Sequence, residues 1–537
     1  MLNRFKLLSP LEIILVISLS VFSFWLMFST FSYENGSMLI GSRAWSDFAG
    51  HIPLIRSFSF GSNFPPEYPI FPGEPIRYHF LFYLMVGMLE KIGLRIDFAL
   101  NILSSLSFFL LIFSIYLLGK ILFKSKAVGF LGSVFFLFNG SFSFLEFFKT
   151  HPFSPNFLNQ IFSNTAFPSF GPYDGKVVSA FWNLNIYTNQ RHFALPLAFF
   201  IILLLIVIKS EIYKKKMSEY LILLFGIILG ILPFFHSGVF IMIGLSLISL
   251  FILLPKERKP ILFMLLIAGL LSLPRIIFLG QASAVQFHFG YLAQNQPNLF
   301  LFLNYWLLNF GLFLILIPVG FILSSKFQKK IFLSVFPLFL IGNLFQFSPE
   351  IAGNHKFFNA FLIIANLYAA FAMIKLWRIN LITKTIFPIM FVFLIFSGVI
   401  DFFVIKNDSF IKLSDYKQNE EIAWIMKNTA KNSVFLNSSY LYDPASLAGR
   451  KIFFGWPYFS WSMGYDTDKR GKLVEKIFQE NNKSEACKLL LENSISYIET
   501  KENADFFASP LYQTAFIPVY SNPITSSNIF DVKKSCK

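Results

Sequence analysis

Cysteine and charged residues are both scarce in this sequence. The 537 residues include only two cysteines, Cys487 and Cys536, which excludes a framework of several disulfides and a zinc site built from cysteines. One disulfide between the two remains open. No CxxC or HExxH motif occurs either, so we expect no structural metal and predict no cofactor; a divalent ion stays open as an alternative that the sequence does not support.

Charged residues make up 14% of the chain, against about 25% in an ordinary soluble domain, whereas 55% of the residues are hydrophobic. Phenylalanine alone contributes 74 residues. Apolar runs close to the roughly 20 residues that span a bilayer recur from Leu11 to Ile405. This composition excludes a protein that folds mainly in water, and the number of runs excludes a signal peptide or a single anchor.

The apolar runs predict about eleven transmembrane helices. They are expected near 11–31, 98–121, 127–147, 192–208, 219–235, 237–254, 260–278, 300–324, 331–347, 357–376 and 385–405. The apolar segment 77–93 is shorter, with Arg77 and His79 at one end and Glu90 and Lys91 at the other. We therefore predict that this segment is re-entrant or interfacial and does not fully cross the membrane.

The placement of positive charge predicts the topology. The formal net charge is +16, and Lys and Arg occur in short clusters between the apolar runs, as cytoplasmic loops require. With the predicted crossings, the clusters from Lys124/Lys126 to Lys375/Arg378/Lys384 fall on one side. The sequence therefore predicts a multi-pass protein of the cytoplasmic membrane with a cytoplasmic N-terminus. No basic and aromatic platform occurs in a soluble segment, so we expect no nucleic-acid partner.

The predicted fold class is an all-α polytopic membrane domain followed by a small C-terminal α/β domain. The membrane domain covers 1–406 and includes the external loops 32–97 and 148–191. After residue 406 the apolar runs shorten, which predicts a soluble extracytoplasmic domain over 407–537. Its predicted helices are Glu420–Asn428 and Lys469–Gln479, and its predicted strands are Ser433–Asn437, Lys451–Gly455 and Ile495–Thr500.

The first external loop carries the candidate catalytic residues Asp47 and His51. Apolar residues at helical spacing surround them, which predicts a helix lying on the membrane surface. Residues four apart share one helix face, so both side chains would meet the same polar substrate. Asp47 could act there as a general base on an acceptor hydroxyl or amine. The competing interpretation is a solvated Asp that caps this helix.

Further along the same loop, Arg77 and His79 follow a proline-rich stretch and stand at the start of the short apolar segment. A cation in that position can bind phosphate oxygens. The alternative is that both side chains only reach toward lipid headgroups.

The second external loop ends in a dense run of hydrogen-bonding side chains, Asn189, Gln190, Arg191 and His192. Arg191 suits bidentate contact with a phosphate, and the two amides suit sugar hydroxyls, so this run is the strongest candidate for binding a donor substrate. Interface anchoring is the alternative. Asp174, in the same loop, fits a turn better than a second catalytic acid.

Ionisable residues also occur at the expected outer ends of later helices: His236, Arg275, His355 and Lys356. Ionisable groups this near hydrocarbon are costly unless they are paired or functional, and an anionic lipid phosphate is a natural partner for Lys356 and Arg275. His236 fits a satisfied packing histidine equally well.

Several of these segments, in this order, resemble the GT-C superfamily of multi-pass glycosyltransferases, which includes protein O-mannosyltransferases and lipid A aminoarabinose transferases. The resemblance covers most of the chain. It rests on the Asp47 loop, Tyr78–Tyr83 with Gly93, Leu117–Phe123, Asn189–His192, Asp443–Arg450, Phe454–Trp456 and Trp461–Gly464.

The resemblance implies transfer of a sugar from a polyprenyl-phosphate donor on the outer face, with an acid of the first external loop near the reacting atoms. Asp47 matches that position. Many relatives carry a second acid beside it, whereas Phe48 follows here and His51 is the next polar residue. The resemblance therefore favours an inverting, metal-independent transferase in which Arg191 and Lys356 stabilise the leaving phosphate, assisted by Arg275 or Arg77.

Two other classes remain open. A secondary transporter or lipid flippase would usually show internal repeats, and none is visible. A polymerase or ligase of cell-surface polysaccharide is also multi-pass, but would not need an acid in its first loop. The acceptor, whether lipid, glycan or protein, is not specified by the sequence.

Overall fold

The computed structural model describes residues 9–170, 175–280, 285–293, 298–502, 504–506 and 508–537. These residues form two compact units. The helical unit contains 9–30, 101–278 and 285–409, and the mixed unit contains 31–100, 279–280 and 410–537. The first expected external loop thus belongs to the same compact unit as the C-terminal part of the chain.

Helices account for most of the described chain. In order they are α1 (Pro10–Phe28), α2 (Trp45–Ser59), α3 (Leu81–Lys91), α4 (Ile96–Leu122), α5 (Lys126–Leu137), α6 (Phe144–Thr150), α7 (Phe157–Phe162), α8 (Asn185–Asn189), α9 (Ala194–Tyr213), α10 (Glu219–Leu253), α11 (Arg258–Gly280), α12 (Leu299–Phe310), α13 (Phe313–Leu323), α14 (Lys326–Leu344), α15 (His355–Trp377), α16 (Leu381–Lys406), α17 (Glu420–Asn428), α18 (Pro444–Leu447), α19 (Pro457–Trp461), α20 (Thr467–Gln479), α21 (Lys483–Glu492), α22 (Pro510–Ala515) and α23 (Val532–Ser535).

The strands are short and form small sheets. In order they are β1 (Phe31–Glu34), β2 (Ser37–Gly41), β3 (Glu67–Tyr68), β4 (Phe71–Pro75), β5 (Gln286–Phe287), β6 (Phe345–Gln346), β7 (Phe410–Ser414), β8 (Val434–Leu436), β9 (Lys451–Ile452), β10 (Tyr497–Lys501), β11 (Pro518–Asn522) and β12 (Ser527–Asp531). They pair as β1-β2-β7, as β11-β12-β10-β8-β9, and as the two-stranded pairs β3-β4 and β5-β6.

Eight helices of the described residues are long and apolar enough to cross a membrane, or nine if α12 and α13, bent by 88° at their junction, form one broken span. This is fewer than the eleven crossings that the sequence predicts. The predicted pair 219–235 and 237–254 corresponds to α10, which consists of two helical stretches that meet at a kink at His236, three residues after Pro233. The predicted crossing 127–147 corresponds to the 12-residue α5, which rises about 18 Å, short of the roughly 30 Å of hydrocarbon, and to the beginning of the separate helix α6.

Aromatic packing explains much of the phenylalanine content of the helical unit. The ring centroid of Trp306 lies 4.6, 4.9 and 4.5 Å from those of Phe310, Phe339 and Phe358. These residues come from α12, α14 and α15, and all but the partly buried Phe339 are almost fully buried. Apolar rings of this size bury large areas with few side-chain torsions to restrict, which suits a core built between helices.

The buried acid Glu12 links three of the first helices of the helical unit. Glu12, in the first turn of α1, accepts hydrogen bonds from Tyr116 over 2.8 Å and from Lys120, both on α4. Lys126, at the start of α5, lies 3.1 Å from the same carboxylate. A buried carboxylate needs such partners, and together they connect α1, α4 and α5.

In the mixed unit, β2 pairs with β1 and with β7. The register of the second pair runs from Ser37 opposite Ser414 to Gly41 opposite Phe410. The segment between α1 and α2 therefore forms a single sheet together with the segment that follows α16. The segment 77–93 contributes only α3, which has 11 residues and is not among the candidate spans.

The C-terminal part of the mixed unit is the five-stranded sheet with its helices. In this sheet β10 is parallel to β8, which is parallel to β9, while β12 is antiparallel to both β10 and β11. The predicted helix Glu420–Asn428 is confirmed at both ends, and Asn419 caps it by accepting the backbone N–H groups of Glu421 and Ile422. The other predicted elements correspond to β8, β9, β10 and α20. Cys487 and Cys536 form a disulfide between α21 and the C-terminal end of the chain.

Candidate functional site

Asp47 lies in the first turn of α2, and His51 follows one turn later on the same face. The helix begins at Trp45, so the sequence prediction of a helix here is confirmed. Asp47 is partly buried and His51 is 5% exposed. A carboxylate in the first turn of a helix is stabilised by the backbone N–H groups at that end. The Asp47 carboxylate thus lies at the positive end of the α2 dipole.

Tyrosines surround this acid in the mixed unit. Burial raises the pKa of Tyr78, and the negative charge of Asp47 raises it further. The pKa of Tyr83 is raised by burial, by Tyr78 and by Asp47, and that of Tyr442 by burial and then by Asp47. All three hydroxyls therefore keep their protons at neutral pH; Tyr442 donates its proton to the carbonyl of Trp45, whereas Tyr78 and Tyr83 are O–H donors close to Asp47.

His51 belongs to the same group. Its ring stacks on that of Tyr83 with centroids 4.6 Å apart, and its Nε2 lies 3.4 Å from the hydroxyl oxygen of Tyr78. Imidazole, phenol and carboxylate thus form one polar cluster, and sequence reasoning had selected only Asp47 and His51 from it. The sequence signal for Tyr78 and Tyr83 was the motif Tyr78–Tyr83, which served only as evidence of family resemblance and not as evidence of a hydrogen-bonding cluster.

Arg77 makes its contacts within the mixed unit. Its Nη2 lies 2.8 Å from Oε2 of Glu74, its Nη1 donates to the carbonyl of Gly464, and its guanidinium lies 4.6 Å from the ring centroid of Tyr465. These contacts hold the β4 region against the segment that precedes α20. His79 is partly buried, and its ring lies 3.9 Å from that of Tyr78. His79, unlike Arg77, therefore has a ring contact with a member of the cluster around Asp47, namely Tyr78.

Arg56, on the same helix as Asp47, forms a buried ionic network that the sequence did not predict. Its Nη2 donates to Oδ2 of Asp415 over 2.7 Å, and its Nε lies 3.3 Å from Oε1 of Glu90. Ser59 also donates to Glu90. Arg56 is 1% exposed and Asp415 is fully buried, so these two ions compensate each other's charge out of contact with water, while burial raises the pKa of Glu90. The network fixes α2 against α3 and the end of β7.

Arg191 lies in the helical unit and is 1% exposed. Its Nε donates to the carbonyl of Thr188 over 2.6 Å, Nη1 to Sδ of Met27 and Oδ1 of Asn101, and Nη2 to the carbonyl of Met27 and to Oγ1 of Thr30. These five bonds equal the number of N–H groups on a guanidinium. In this structure Arg191 connects the end of α1, the first half of α4 and α8.

The two residues before Arg191, Asn189 and Gln190, are less deeply buried than Arg191. Asn189 ends α8, and its Oδ1 lies 3.4 Å from the hydroxyl of Thr188. Gln190 is partly buried, and no hydrogen bond within the described residues reaches its Oε1. An amide oxygen with spare acceptor capacity is suited to a hydroxyl donor. Asp174, predicted as a turn residue of the same loop, lies outside the described residues.

Four predicted residues come together in the helical unit: His192, His236, His355 and Lys356. The rings of His192 and His236 stack with centroids 5.5 Å apart. The charge of Lys356 acts on both His236 and His355. The three histidines are almost fully buried, and Lys356 is only partly so. A cation flanked by imidazoles can bind an anionic oxygen, with the imidazole N–H groups as further donors.

Arg275, on α11, is 8% exposed and contacts aromatic rings. Its guanidinium lies 5.5 Å from the ring centroid of Phe234 and 5.4 Å from that of Phe278. Such cation–π contacts partly compensate for the loss of water around the charge.

Asp401 is a buried acid that sequence reasoning missed. It lies in α16, is 2% exposed, and its Oδ2 accepts a hydrogen bond of 3.0 Å from Nδ2 of Asn183. No hydrogen bond within the described chain reaches its Oδ1. The signal was available, because an acid inside an otherwise apolar run is a candidate functional group by default.

A small cavity of about 10 Å³ in the helical unit is lined by polar groups of Asn139, Tyr187, Asn359 and Asn366. It has room for about one water molecule. A sugar does not fit it, so we do not assign it as a substrate site.

No protein-family profile and no curated protein matches this sequence. Solved structures do match. The crystal structure of the Archaeoglobus fulgidus oligosaccharyltransferase, tethered to an acceptor peptide containing the NVT sequon, aligns with 97% of this chain and 74% of its own, at a TM-score of 0.52 and 11% identity. The Archaeoglobus fulgidus oligosaccharyltransferase AglB in complex with an inhibitory peptide and a dolichol-phosphate aligns with 92% of this chain and 70% of its own, at a TM-score of 0.52 and 12% identity.

The mycobacterial arabinofuranosyltransferase AftD, solved by electron cryo-microscopy, aligns with 98% of this chain and 40% of its own, at a TM-score of 0.55 and 10% identity. These neighbours are glycosyltransferases of the GT-C type. The likeness is one of fold, and it confirms the GT-C resemblance that the sequence motifs indicated.

Proposed function

We propose that this protein is a membrane glycosyltransferase that moves a sugar from a polyprenyl-phosphate donor to an acceptor on the outer face of the cytoplasmic membrane. The observation that carries the proposal is the position of Asp47, in the first turn of α2 and surrounded by protonated tyrosine hydroxyls, in a chain with a GT-C fold. The AglB complex with a dolichol-phosphate supports a lipid-phosphate donor by analogy of fold.

In the proposed mechanism, Asp47 takes the proton of an acceptor hydroxyl or amine as that atom attacks the anomeric carbon of the sugar. The bond from the anomeric carbon to the phosphate oxygen breaks, and the polyprenyl phosphate leaves with its electron pair. One displacement inverts the anomeric configuration. His51 and the hydroxyls of Tyr78 and Tyr83 hold Asp47 and donate hydrogen bonds to sugar or acceptor oxygens.

The leaving phosphate needs positive charge, because negative charge that develops near low dielectric is strongly stabilised by fixed cations. Lys356, with His192, His236 and His355 beside it, is the proposed phosphate-binding group of the helical unit. Arg275 and Arg77 remain proposed assisting cations, and Asn189 and Gln190 proposed sugar ligands. For Arg191 we propose mainly a supporting role, since its five hydrogen bonds go to protein atoms.

The test uses the purified full chain in nanodiscs with a panel of radiolabelled polyprenyl-phosphate sugars and mixed acceptors. We expect transfer from at least one donor, and a loss of about a hundredfold or more in the rate with Asp47→Asn, as for removal of a general base. Lys356→Gln should weaken transfer by a similar amount. The matched control is Glu34→Gln, which neutralises an exposed acid of the same unit and should leave the rate unchanged.

The alternative functions give different results. Movement of a labelled lipid across the bilayer without any transfer would contradict the proposal in favour of a transporter or flippase. Transfer that is equally fast with Asp47→Asn would favour a polysaccharide polymerase or ligase and remove Asp47 from the mechanism.

A further inference from the structure

The segment Tyr442–Arg450 of the mixed unit contacts both ends of α2, the helix that carries Asp47. We call it the clasp segment. We propose that the clasp segment is a positioning device that fixes the rotation and the axial position of α2 and thereby places Asp47 and His51. The consequence for catalysis rests on the proposed function, whereas the consequence for the position of α2 does not.

The first contact is at the beginning of α2. The hydroxyl of Tyr442 donates a hydrogen bond to the carbonyl of Trp45, and the two rings pack with centroids 4.1 Å apart. Trp45 is the first residue of the helix and lies two residues before Asp47. Tyr442 is also close enough to Asp47 to respond to its charge. One end of the clasp segment therefore holds the turn that contains Asp47.

The second contact is at the other end of α2, where two glycines bring backbones together. A Cβ added to Gly61 would lie 2.1 Å from the carbonyl oxygen of Gly449, and one added to Gly449 would lie 2.6 Å from the carbonyl oxygen of Arg56. Atoms cannot approach that closely, so only glycine allows this contact. Arg450 adds a hydrogen bond of 3.2 Å from Nη1 to the carbonyl of Phe60, the C-cap residue directly after α2.

The clasp segment is itself held rigidly by the domain that contains it. The guanidinium of Arg450 donates to the carbonyls of Ile425, Met426 and Thr429 and to Oγ1 of Thr429, all at the end of α17. Arg450 is 1% exposed. At its beginning, Asp443 caps α18 by accepting the backbone N–H of Ala445 over 3.0 Å. A rigid support is what a positioning contact requires.

Together the two contacts leave α2 little freedom to rotate or slide. Asp47 lies between them, and an error of about 1 Å in the placement of a reacting group can cost about a hundredfold in rate. This gives a physical role to Asp443–Arg450, one of the motifs that carry the family resemblance. Its residues do not touch the reacting atoms in the proposed mechanism and act through α2.

The first experiment measures the position of α2 without any activity assay. Ser46 and Lys472 are exposed positions of the mixed unit, on α2 and α20, and the native cysteines are joined in a disulfide. We would label Ser46→Cys and Lys472→Cys with maleimide nitroxides and record the distance distribution by pulsed electron resonance. Gly61→Ala and Tyr442→Phe should each shift or broaden the distribution. Gly269→Ala, where an added Cβ meets no atom within 4 Å, should not.

The second experiment links the position of α2 to transfer. We expect Tyr442→Phe and Gly61→Ala to lower kcat about tenfold or more while KM for the donor stays within about twofold, since only the placement of the base changes. Tyr442→Phe removes one hydroxyl, so this variant keeps the test valid if Gly61→Ala does not fold. A distance distribution identical to wild type in Tyr442→Phe would overturn the positioning proposal. Shifted distances in a chain that shows no transfer with any donor would support positioning and count against the proposed function instead.

Discussion

Arg56 donates a hydrogen bond from Nη2 to Oδ2 of Asp415 over 2.7 Å, although the two residues are 359 positions apart in the sequence. Glu90 completes the network at 3.3 Å from Nε. Each member is buried, so each depends on the others for the compensation of its charge. Within the mixed unit, the first loop and the C-terminal part of the chain are joined through these ions.

The ionic network predicts a large effect of removing one charge. Asp415→Asn leaves Arg56 buried without its closest carboxylate, which should cost about 3–5 kcal/mol. For a unit of this size we expect the Tm to fall by roughly 10 °C. The measurement is thermal unfolding of the full chain in detergent, followed by tryptophan fluorescence.

The control for that variant is Glu146→Gln. Glu146 pairs with Lys149 over 2.7 Å, and the two side chains are 33% and 68% exposed. Pairs that are open to water contribute only about 0–1 kcal/mol, so the Tm should change little. An equal fall in Tm for the two variants would show that the effect of Asp415→Asn does not come from the burial of the Arg56 network.

Two buried acids of the mixed unit, Asp443 at the start of α18 and Glu499 in β10, predict a pH dependence. Burial raises the pKa of Asp443 to about 7, and burial together with the charge of Asp443 raises the pKa of Glu499. In the unfolded chain both groups lose their protons near pH 4. The folded state therefore binds more protons between about pH 4 and pH 7, and the free energy of unfolding falls as the pH rises through that window.

Hydrogen exchange of peptides that cover β8 and β10, corrected for intrinsic rates, measures this slope. We expect a loss of about 1.4 kcal/mol of protection per pH unit for each group that titrates. Glu499→Gln keeps the shape of the side chain and removes one of the acids, so the slope should become flatter. Protection that rises with pH over the same window would contradict the predicted direction.

The hydrogen bonds of Arg191 predict that lysine at this position would lower the stability of the helical unit. Arg191→Lys keeps the positive charge but reduces five donors to three, which leaves the carbonyls of Thr188 and Met27 without full hydrogen bonding. Charged hydrogen bonds of this kind contribute about 1.5–3 kcal/mol each, so we expect a loss of about 3 kcal/mol. Tm in detergent measures it, and Arg258→Lys, at an exposed position, is the control. A Tm unchanged by Arg191→Lys would rule out the supporting role.

The disulfide between Cys487 and Cys536 closes a loop with a sequence separation of 49. A loop of that length is expected to contribute about 4 kcal/mol by restricting the unfolded chain. The double variant Cys487→Ser and Cys536→Ser should therefore increase hydrogen exchange in α21 and β12, with no change in the helices of the other unit. Exchange that stays at the wild-type level in α21 and β12 would contradict this expectation.

Local features of the fold were predictable from the sequence. The helix α17 has an apolar face at helical spacing and a strong capping residue in Asn419, so its bounds were correct. The placement of Asp47 and His51 on one helix face also follows from their spacing of four. In both cases the determining interactions lie within a few residues of one another.

Features set by distant partners were not predictable. Nothing in the sequence of Ser37–Gly41 indicates that its partner strand is β7, and nothing around Arg191 indicates contacts with Met27 and Asn101. The break between the predicted crossings near α10 was predictable by contrast, because a proline and a histidine in an apolar run are local signals, and the backbone leaves the helical conformation at His236.

The pairing of β2 with β7 also has a consequence for how the protein is made. Strand β2 leaves the ribosome roughly 370 residues before its partner, which at about 5–20 residues per second is a wait of some 20–75 seconds. During that interval all the candidate spans between them are synthesised, while one edge of β2 has no strand to bond to. Synthesis of about the last quarter of the chain, which begins with β7, thus determines when the first loop can reach its final structure, and chains truncated before β7 are expected to be degraded rather than retained.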